Sequence, residues 1–410
     1  MNWKRSLCAG LAAALLAGAL AGCTAPSDVQ PTPQSTPAAD DIAYQAVGIT
    51  RDTVLFTADG AQVTADDYLY WLLNAIAMAK NSGYLADDNA WEEEIDGTPT
   101  QEYLKRSALE NSKLYAVAQK RAAEAGVTLT QEEQDEAAAQ MESLGSTLEA
   151  YYGVTLQEYL DQQCVSQAAY QRMAYEIPVL VGKLQEEYTQ AGEFTPTDED
   201  MADMIQREDI HSCKHILLAF PKNEDGSAVT DEQKAEVKAQ ADALLAELQA
   251  ADDPAAAFET AMNERSDDTR DPETNELYNP QGYTFLASGA MVDGSGSLVA
   301  PFVQAGVALA EGELSQPVET DYGYHILLGQ SADNEETRSL YPNYAMNRRI
   351  DQWMADAAVE LTDVYETLDP KAFYDGMMAL ARQWQEQAQV EAEASPAPEE
   401  SAQPSATPAE

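Results

Sequence analysis

The sequence predicts an α+β fold in three parts: a helical segment, a middle segment that runs strand, helices, strand, and a second helical segment. Compact apolar runs at 214–220 and 324–329 are typical of buried strands. Apolar residues recur at helical spacing before residue 190 and after residue 334. At 410 residues, the chain is long enough for two or three domains.

The first stretch is predicted to be a targeting segment. Lys4 and Arg5 precede an apolar run that meets small residues before Cys23, which is typical of a secretory signal peptide over residues 1–22. Leu20-Ala21-Gly22-Cys23 resembles the lipobox of bacterial lipoproteins, which implies that the Cys23 sulfur is acylated. An ordinary signal peptide with an incidental cysteine is the alternative. Residues 23–45, rich in Pro, Ser, Thr and Ala, would then form a lipid-anchored tether.

The charge excludes several function classes. The chain carries 71 Asp+Glu against 23 Lys+Arg, a net charge of −48. Such a field repels nucleic acid, and the scarcity of clustered Arg and Lys argues against phosphorylated ligands. No later apolar segment is long enough to span a bilayer, so we expect an anchored protein that faces outward. Its expected partners are neutral or basic polypeptides, and whether it forms a homodimer stays open.

Two cysteines remain after the predicted processing, Cys164 and Cys213, with no C-x-x-C pair. We expect two buried thiols without a disulfide, although a bond between them is the alternative in an oxidising compartment. The same count makes a zinc site improbable, and no metal is predicted.

The N-terminal segment, residues 46–208, is predicted to be mainly helical. Two short extended runs meet at the turn Asp59-Gly60, and helices follow. Their predicted starts and ends are an N-cap at Thr64, a helix from Gln101 to Gly126, and capping boxes at Thr130 and Thr155. The last helix should run towards Tyr188 and be interrupted by Pro178. A Thr/Pro/Asp-rich passage at 193–208 marks the domain boundary.

The middle segment, residues 209–331, is bounded by the two predicted strands. Between them, helices are expected to start at Thr230, at Asp253-Pro254 and at Pro301-Phe302, and Gly312 can close the last of these. Residues 332–385 are again helical by apolar spacing. From residue 386 to 410 the chain is rich in Glu, Ala, Pro and Ser, which predicts a disordered acidic tail.

The three histidines, His211, His215 and His325, all lie in the middle segment. His215 and His325 occupy the same place in similar strand sequences, each followed by Ile-Leu-Leu. Neighbouring strands would therefore bring the two imidazoles together on one sheet face. From spacing alone, a pair of hydrogen-bonded core histidines is an equally good interpretation.

An ordered set of short motifs across 211–330 resembles the parvulin family of peptidyl-prolyl cis/trans isomerases. The matching residues are Lys214-His215-Ile216-Leu217, Phe258, Ser266-Asp267-Asp268, Gly289-Ala290-Met291, Pro301-Phe302, Leu309, Gly312-Glu313, Ser315, Pro317-Val318, Thr320 and Gly323-Tyr324-His325-Ile326. The resemblance implies a small antiparallel sheet with surrounding helices. It also implies an isomerase that needs no cofactor.

The resemblance implies site residues as well. His215, Asp268 and His325 would form the catalytic network, with Thr320 holding the histidine tautomers. Met291 and Phe302 would bind the proline ring and Tyr322 would line the rim; plain core packing is the alternative for Met291 and Phe302. Two departures from the family pattern affect the pocket wall. A characteristic turn is reduced to 282–285, and residues 293–300 form an insertion.

With a lipobox and flanking helices, the whole chain resembles extracytoplasmic foldase lipoproteins of the PrsA type. The resemblance implies that 46–208 and 332–385 pack together as a chaperone-like domain, as in SurA-like proteins. The predicted function is isomerisation and chaperoning of secreted polypeptides with X-Pro bonds, at the outer face of the cytoplasmic membrane.

Three alternatives compete with this prediction. The first is a non-catalytic holdase whose parvulin module only binds clients. A solute-binding lipoprotein is weaker, because the strands are too few for two large lobes. A hydrolase is disfavoured, because Ser295 and Ser297 lack the spacing of a nucleophile elbow.

Overall fold

The computed structural model describes residues 42–223 and 227–394, so the predicted signal peptide, Cys23 and most of the predicted tether lie outside the described residues. The chain forms two compact units. Of the described residues, unit 1 takes those up to Tyr188 and those from Asn347 onward, and unit 2 takes those in Thr189–Met346. None of the helices in the described part of the chain has the length and apolar content needed to cross a bilayer.

Helices dominate the described residues. They are α1 (Ile42–Val47), α2 (Ala65–Asn81), α3 (Thr100–Glu124), α4 (Gln131–Tyr152), α5 (Leu156–Gln162), α6 (Gln167–Gln171), α7 (Ile177–Gln190), α8 (Asp198–Glu208), α9 (Asp231–Ala250), α10 (Pro254–Arg265), α11 (Ala300–Val307), α12 (Glu335–Asp356), α13 (Asp363–Thr367) and α14 (Pro370–Ala394). The strands are β1 (Val54–Ala58), β2 (Ala61–Thr64), β3 (Glu94–Ile95), β4 (Thr98–Pro99), β5 (Ile210–Ala219), β6 (Tyr283–Leu286), β7 (Val318–Glu319), β8 (Gly323–Gln330) and β9 (Val359–Leu361).

Unit 1 is assembled from both ends of the described chain. Strand β1 pairs with β2 through the Asp59-Gly60 turn, where both residues have positive φ, and on its other edge with β9, which places Phe56 opposite Leu361. Helices α1 and α14 pack so closely that a Cβ on Gly376 would lie 3.1 Å from the Ala46 Cβ. Residues from both helical segments therefore share one core.

Unit 2 is built on a four-stranded antiparallel sheet in the order β6-β5-β8-β7. One face, with Ile216 and Ile326, packs against leucines of α9 and Phe258 of α10. The other face packs against Phe302 of α11. Both predicted histidine strands are present as neighbouring strands, and the predicted α+β class with a small antiparallel sheet is confirmed.

Most predicted helix starts are confirmed by their caps. The side chains of Thr130, Thr155 and Thr230 each accept a hydrogen bond from the backbone N–H three residues later, at 3.2 Å in all three cases. Asp253 accepts from the N–H of Ala256 in the same way, at 3.1 Å. These bonds satisfy N–H groups that have no partner inside the helix.

The prediction of one helix from Thr155 towards Tyr188 is wrong. Helix α5 ends at Gln162, and Cys164 adopts a positive φ of 57° before Ser166 caps the next helix. The predicted interruption at Pro178 is present, but as a π-helical turn over the five residues before Ile177 rather than as the end of the helix. A proline lacks an N–H and crowds the preceding turn, which accounts for the local change from α-helical to π-helical hydrogen bonding.

Further boundaries differ from the sequence-based expectation. The passage 193–208 contains helix α8, which starts with a capping box at Thr197. Helix α11 ends at Val307 rather than at Gly312, whose N–H donates to the Gly329 carbonyl in the sheet. Helix α1 begins within the predicted tether and buries Tyr44 completely.

The C-terminal boundary also shifts. Helix α14 continues past residue 386 to Ala394, because this stretch contains good helix formers and no Gly or Pro. The remainder of the predicted tail, from residue 395, lies outside the described residues.

Candidate active site

The two strand histidines lie on the same face of the unit 2 sheet. In the β5–β8 ladder His215 is opposite Leu327 and His325 is opposite Leu217, so the two imidazoles are diagonal neighbours. Their Nδ1 atoms are 3.0 Å apart, and the ring planes are stacked at 23°. Only 7% of His215 and 5% of His325 is exposed, so this contact is shielded from water. The predicted convergence of the two imidazoles is what the structure shows.

A continuous hydrogen-bonded chain runs through the two rings, from Asp268 at one end to Thr320 at the other. His215 Nε2 lies 3.1 Å from Asp268 Oδ2, and His325 Nε2 lies 2.9 Å from Thr320 Oγ1. The Thr320 hydroxyl is also 3.3 Å from the Gly323 carbonyl. The structure therefore brings together all four residues that the sequence predicted for the catalytic network.

Asp268 is positioned by a loop that continues the pairing of strand β5 beyond β6. The Leu217 N–H donates to Ser266 Oγ at 3.1 Å, and the Asp267 N–H donates to the Leu217 carbonyl at 2.8 Å. The Ala219 N–H then donates to Asp267 Oδ2 at 3.0 Å. Ser266 and Asp267 thus fix the loop that presents Asp268 to His215. Both residues belong to the matching motif, but the sequence did not indicate this role.

The electrostatics of the site favour an ionised Asp268 and a neutral His325. Burial alone would raise the pKa of Asp268, but the hydrogen bond and positive charge of His215, with the Thr269 N–H and His325, outweigh it and lower that pKa. Burial lowers the pKa of His325 to about 4; the nearby charge of His215 acts in the same direction and Asp268 opposes it.

Hydrogen-bond chemistry allows two proton arrangements in the chain. With both imidazoles neutral, His215 Nε2 donates to Asp268, His325 Nδ1 donates to His215 Nδ1, and the Thr320 hydroxyl donates to His325 Nε2. If His215 carries a second proton, the direction reverses: His215 donates to His325, His325 donates to Thr320, and the hydroxyl turns to the Gly323 carbonyl. The network can therefore take up one proton without leaving an imidazole nitrogen unbonded.

Phe302 packs against both imidazoles. Its ring centroid lies 5.4 Å from that of His215 and 5.5 Å from that of His325, in nearly perpendicular orientations. With only 3% of its surface exposed, Phe302 supports the imidazoles from inside the core. The packing alternative considered for this residue therefore describes most of its contacts.

Tyr283 is a site residue that the sequence did not predict. Its ring lies 5.4 Å from His215 and 6.1 Å from Phe302, and its hydroxyl accepts a hydrogen bond from Asn279. Burial raises the pKa of the Tyr283 hydroxyl; the Asn279 bond opposes this shift and the charge of Asp268 adds to it. The sequence does not indicate Tyr283, because 282–285 resembles a shortened turn.

The segment 282–285 is in fact the start of edge strand β6, which pairs with β5. Gly282 alone keeps a turn conformation, with φ of +87°, and a Cβ there would lie 2.5 Å from the Cys213 carbonyl. A glycine is required at this point for both reasons. The alternation of Tyr283, Thr284, Phe285 and Leu286 could have indicated a strand.

Met291 and Tyr322, the other predicted substrate-contacting residues, lie outside the hydrogen-bonded chain. Met291 forms a β-bridge with Phe285, and its N–H donates to the Gly296 carbonyl, so the predicted insertion folds back on Met291 as a hairpin. Tyr322 lies in the turn between β7 and β8 with 62% of its surface exposed, and its N–H donates to Thr320 Oγ1 at 3.2 Å. Its place on the rim of a substrate pocket stays a prediction.

The cysteines take no part in this network. Among the described residues, Cys164 and Cys213 are buried and form no disulfide. Burial raises the pKa of the Cys213 thiol to about 12, so it stays protonated at neutral pH. Within the described ranges, no group of three or more His, Cys, Asp or Glu side chains could hold a metal ion.

Comparison with known proteins gives one family match and one curated relative. Residues 215–330 match the family described as rotamase, PPIC-type PPIase domain. The foldase protein PrsA of Geobacillus kaustophilus is 31% identical over 83 residues, which cover 17% of this chain and 30% of that protein. The chain thus matches less than a third of the length of this relative.

Solved structures with similarity include three PrsA proteins. PrsA from Bacillus subtilis is 18% identical, with 69% of this chain and 86% of that chain covered and a TM-score of 0.21. The peptidylprolyl isomerase (PrsA) from Bacillus anthracis is 15% identical, with coverage of 68% and 97% and a TM-score of 0.22. The foldase protein PrsA from Streptococcus pneumoniae is 14% identical, with coverage of 72% and 92% and a TM-score of 0.21.

Proposed function

We propose that the protein catalyses cis/trans isomerisation of X-Pro bonds in unfolded polypeptides, on the premise that residues 215–330, which match the PPIC-type PPIase family, act as the parvulin-type isomerase domain that the sequence predicted. The observation that carries the proposal is the buried chain Asp268–His215–His325–Thr320. It places two imidazoles in contact on one sheet face, beside a single carboxylate.

The chemistry requires no covalent intermediate. An X-Pro bond rotates slowly because its planar amide is stabilised by resonance, with a barrier of about 18–20 kcal/mol. At the twisted transition state this resonance is lost, and the charge separation along the amide falls. A site that excludes water and binds the less polar twisted amide more tightly than the planar one lowers the barrier. The burial of His215, His325 and Phe302 supports such a site.

Each residue has a role in this proposal. His215 and His325 contact the substrate amide, and Asp268 and Thr320 orient them by fixing their ring protons. Phe302 supports the imidazoles, while Met291, Tyr283 and Tyr322 contact the substrate around the proline. No cofactor or metal is needed for these roles.

The proposal extends to location and partners. Cleavage before Cys23 and acylation of its sulfur would anchor the protein at the outer face of the cytoplasmic membrane, where secreted polypeptides fold. Unit 1 would hold unfolded clients as a chaperone-like domain, and a net charge of −48 favours neutral or basic segments. Mass spectrometry of the membrane-extracted protein tests the anchor, because a Cys23→Ala variant should lose the lipid mass.

The activity is tested by following the cis-to-trans relaxation of an unphosphorylated X-Pro peptide. We expect the protein to accelerate relaxation and His215→Ala to lower kcat/KM by on the order of tenfold or more, because the centre of the hydrogen-bonded chain is removed. His211→Ala is the matched control. This histidine lies on the same strand, but its ring hydrogen-bonds to Asp209 and takes no part in the Asp268–Thr320 network. Activity should therefore be retained. Full activity of His215→Ala would contradict the proposal.

A non-catalytic holdase is the second candidate, and one observation favours it. Phe302 is 3% exposed, so its ring offers little surface to a proline. In that case the wild-type protein would suppress client aggregation without accelerating peptide relaxation, and the suppression would survive the loss of both His215 and His325.

A further inference from the structure

Two exposed tyrosines are held at opposite ends of the hydrogen-bonded chain. The Tyr322 N–H donates to Thr320 Oγ1 at 3.2 Å, at one end. The Tyr278 N–H donates to the carbonyl of Thr269, the residue after Asp268, also at 3.2 Å, at the other end. Tyr322 is 62% exposed and Tyr278 is 56% exposed. Each tyrosine is thus tied by its backbone to one end of the hydrogen-bonded chain and is exposed to solvent.

Both signs of charge lie beside this tyrosine pair, Tyr278 and Tyr322, with acidic residues in excess: Arg270 pairs with Leu277 next to Tyr278, and Lys234 lies near Asp321. Asp321 precedes Tyr322 in the β7–β8 turn and is exposed, and Asp267 precedes Asp268 and is exposed. Across residues 211–330 there are six Lys+Arg against 21 Asp+Glu, a net charge of −15. A cation approaching the site is therefore attracted, and an anion is repelled.

We propose that the tyrosine pair selects client segments that carry Lys or Arg next to the proline. This inference rests on the proposed function, because a peptide laid across the two imidazoles extends from the Asp268 end to the Thr320 end. Its residues on either side of the proline then lie near Tyr278 and Tyr322. A Lys ammonium or an Arg guanidinium over a tyrosine face gains a cation–π interaction, whereas a Glu carboxylate gains nothing and is repelled.

The test compares peptides that differ only in the residues flanking proline: Lys, Arg, Leu or Glu. For the wild-type protein we expect kcat/KM to be highest with Lys and Arg and lowest with Glu. In Tyr278→Leu and Tyr322→Leu the advantage of Lys over Leu should fall by about two- to fivefold per ring, the size of an exposed cation–π interaction. Tyr→Phe at either position keeps the ring and should keep the preference.

Tyr151→Leu is the matched control, because Tyr151 is 80% exposed but belongs to unit 1. This variant should leave the preference for Lys unchanged.

Direct binding of the Lys and Glu peptides, measured by NMR titration, separates this inference from the proposed function. No acceleration of any peptide contradicts the proposed function, whereas tighter binding of the Lys peptide that needs both rings still supports the tyrosine pair. Equal affinity for Lys and Glu peptides, or a preference that survives the double Leu variant, would overturn the inference.

Discussion

The imidazole of His325 lies where a positive charge is costly. Burial lowers its pKa to about 4, and the charge of His215 acts in the same direction. In the unfolded chain the same group has its ordinary value of about 6.5. Between these two values the unfolded chain binds the proton and the folded protein does not. The titration of His325 therefore costs no stability above about pH 6.5, and it destabilises the folded state as the pH falls towards 4.

We expect this single histidine to cost roughly 3 kcal/mol of unfolding free energy between those two pH values. The measurement is denaturant unfolding of unit 2 at several pH values, compared with His325→Gln, which cannot titrate and should lose that part of the slope. The NMR titration of the His325 ring should give a pKa well below 6.5. Parallel pH dependences of the two proteins would contradict the assignment.

The lowered pKa of Asp268 acts in a lower pH range. Its folded-state value lies below its ordinary value, so it contributes stability above its unfolded pKa of about 3.9, which is lost as the pH falls further. Protonation of either group therefore destabilises the folded state as the pH falls. We expect the hydrogen bonds between Asp268 and Thr320 to break in acid before the rest of the sheet unfolds.

At the scale of elements, the close contact between the start of β8 and the end of β5 depends on a glycine. A Cβ on Gly323 would lie 2.1 Å from the Leu218 carbonyl oxygen and 2.8 Å from the Ala219 Cα, and neither backbone atom can move aside without disturbing the strand. The Gly323 carbonyl also faces the Thr320 hydroxyl, so the same turn orients the end of the histidine chain.

We expect Gly323→Ala to destabilise unit 2 by roughly 3 kcal/mol or more and to lower isomerase activity, because the β5–β8 ladder must shift. Gly294→Ala is the control. It also has a positive φ, of +75°, but a Cβ added there would have nothing within 4 Å, so only about 1–2 kcal/mol is expected. The thermal unfolding midpoint checks both, and equal losses would contradict the close-contact argument.

Helix starts could be predicted from sequence because a cap is local: Thr130 and Glu133 meet within one turn. The break after α5 could not. Ser166, which caps α6, donates from its N–H and its hydroxyl to Asp66, a residue 100 positions earlier. A helix boundary fixed by such a distant partner leaves little signal in its own sequence.

The candidate site likewise contains residues that could be predicted from the sequence and one that could not. His215 and His325 were predictable because similar strand sequences carry them, and the motif order supplied Asp268 and Thr320. Tyr283 was not predictable in the same way, because its contact with His215 depends on how β6 pairs with β5.

At the scale of the whole molecule, the two units differ in how the chain builds them. Unit 2 is one continuous segment, Thr189–Met346, and contains every residue of the candidate site. Unit 1 needs both ends, because β1 pairs with β9 and α1 packs on α14. Ending the chain after residue 356 removes β9 and α14. It also removes Tyr365, whose carbonyl accepts a hydrogen bond from Lys105.

We therefore expect residues 189–356, which keep helix α12 whole, to fold alone and to retain isomerase activity on short peptides. The matched truncation, residues 42–356, should show one cooperative transition from unit 2, while unit 1 loses its own, because its sheet and its α1 contact are incomplete. Calorimetry of the two fragments beside the full chain provides the measurement.

Client handling should separate from peptide catalysis in the same fragments. Residues 189–356 should accelerate peptide relaxation as the full chain does but fail to suppress aggregation of an unfolded protein, because the surfaces proposed to hold clients belong to unit 1. Aggregation suppression by residues 189–356 alone would show that unit 2 binds clients and would contradict the role proposed for unit 1. A fragment that folds but cannot isomerise a peptide would show that unit 1 contributes to catalysis, which a site made wholly of unit 2 residues does not require.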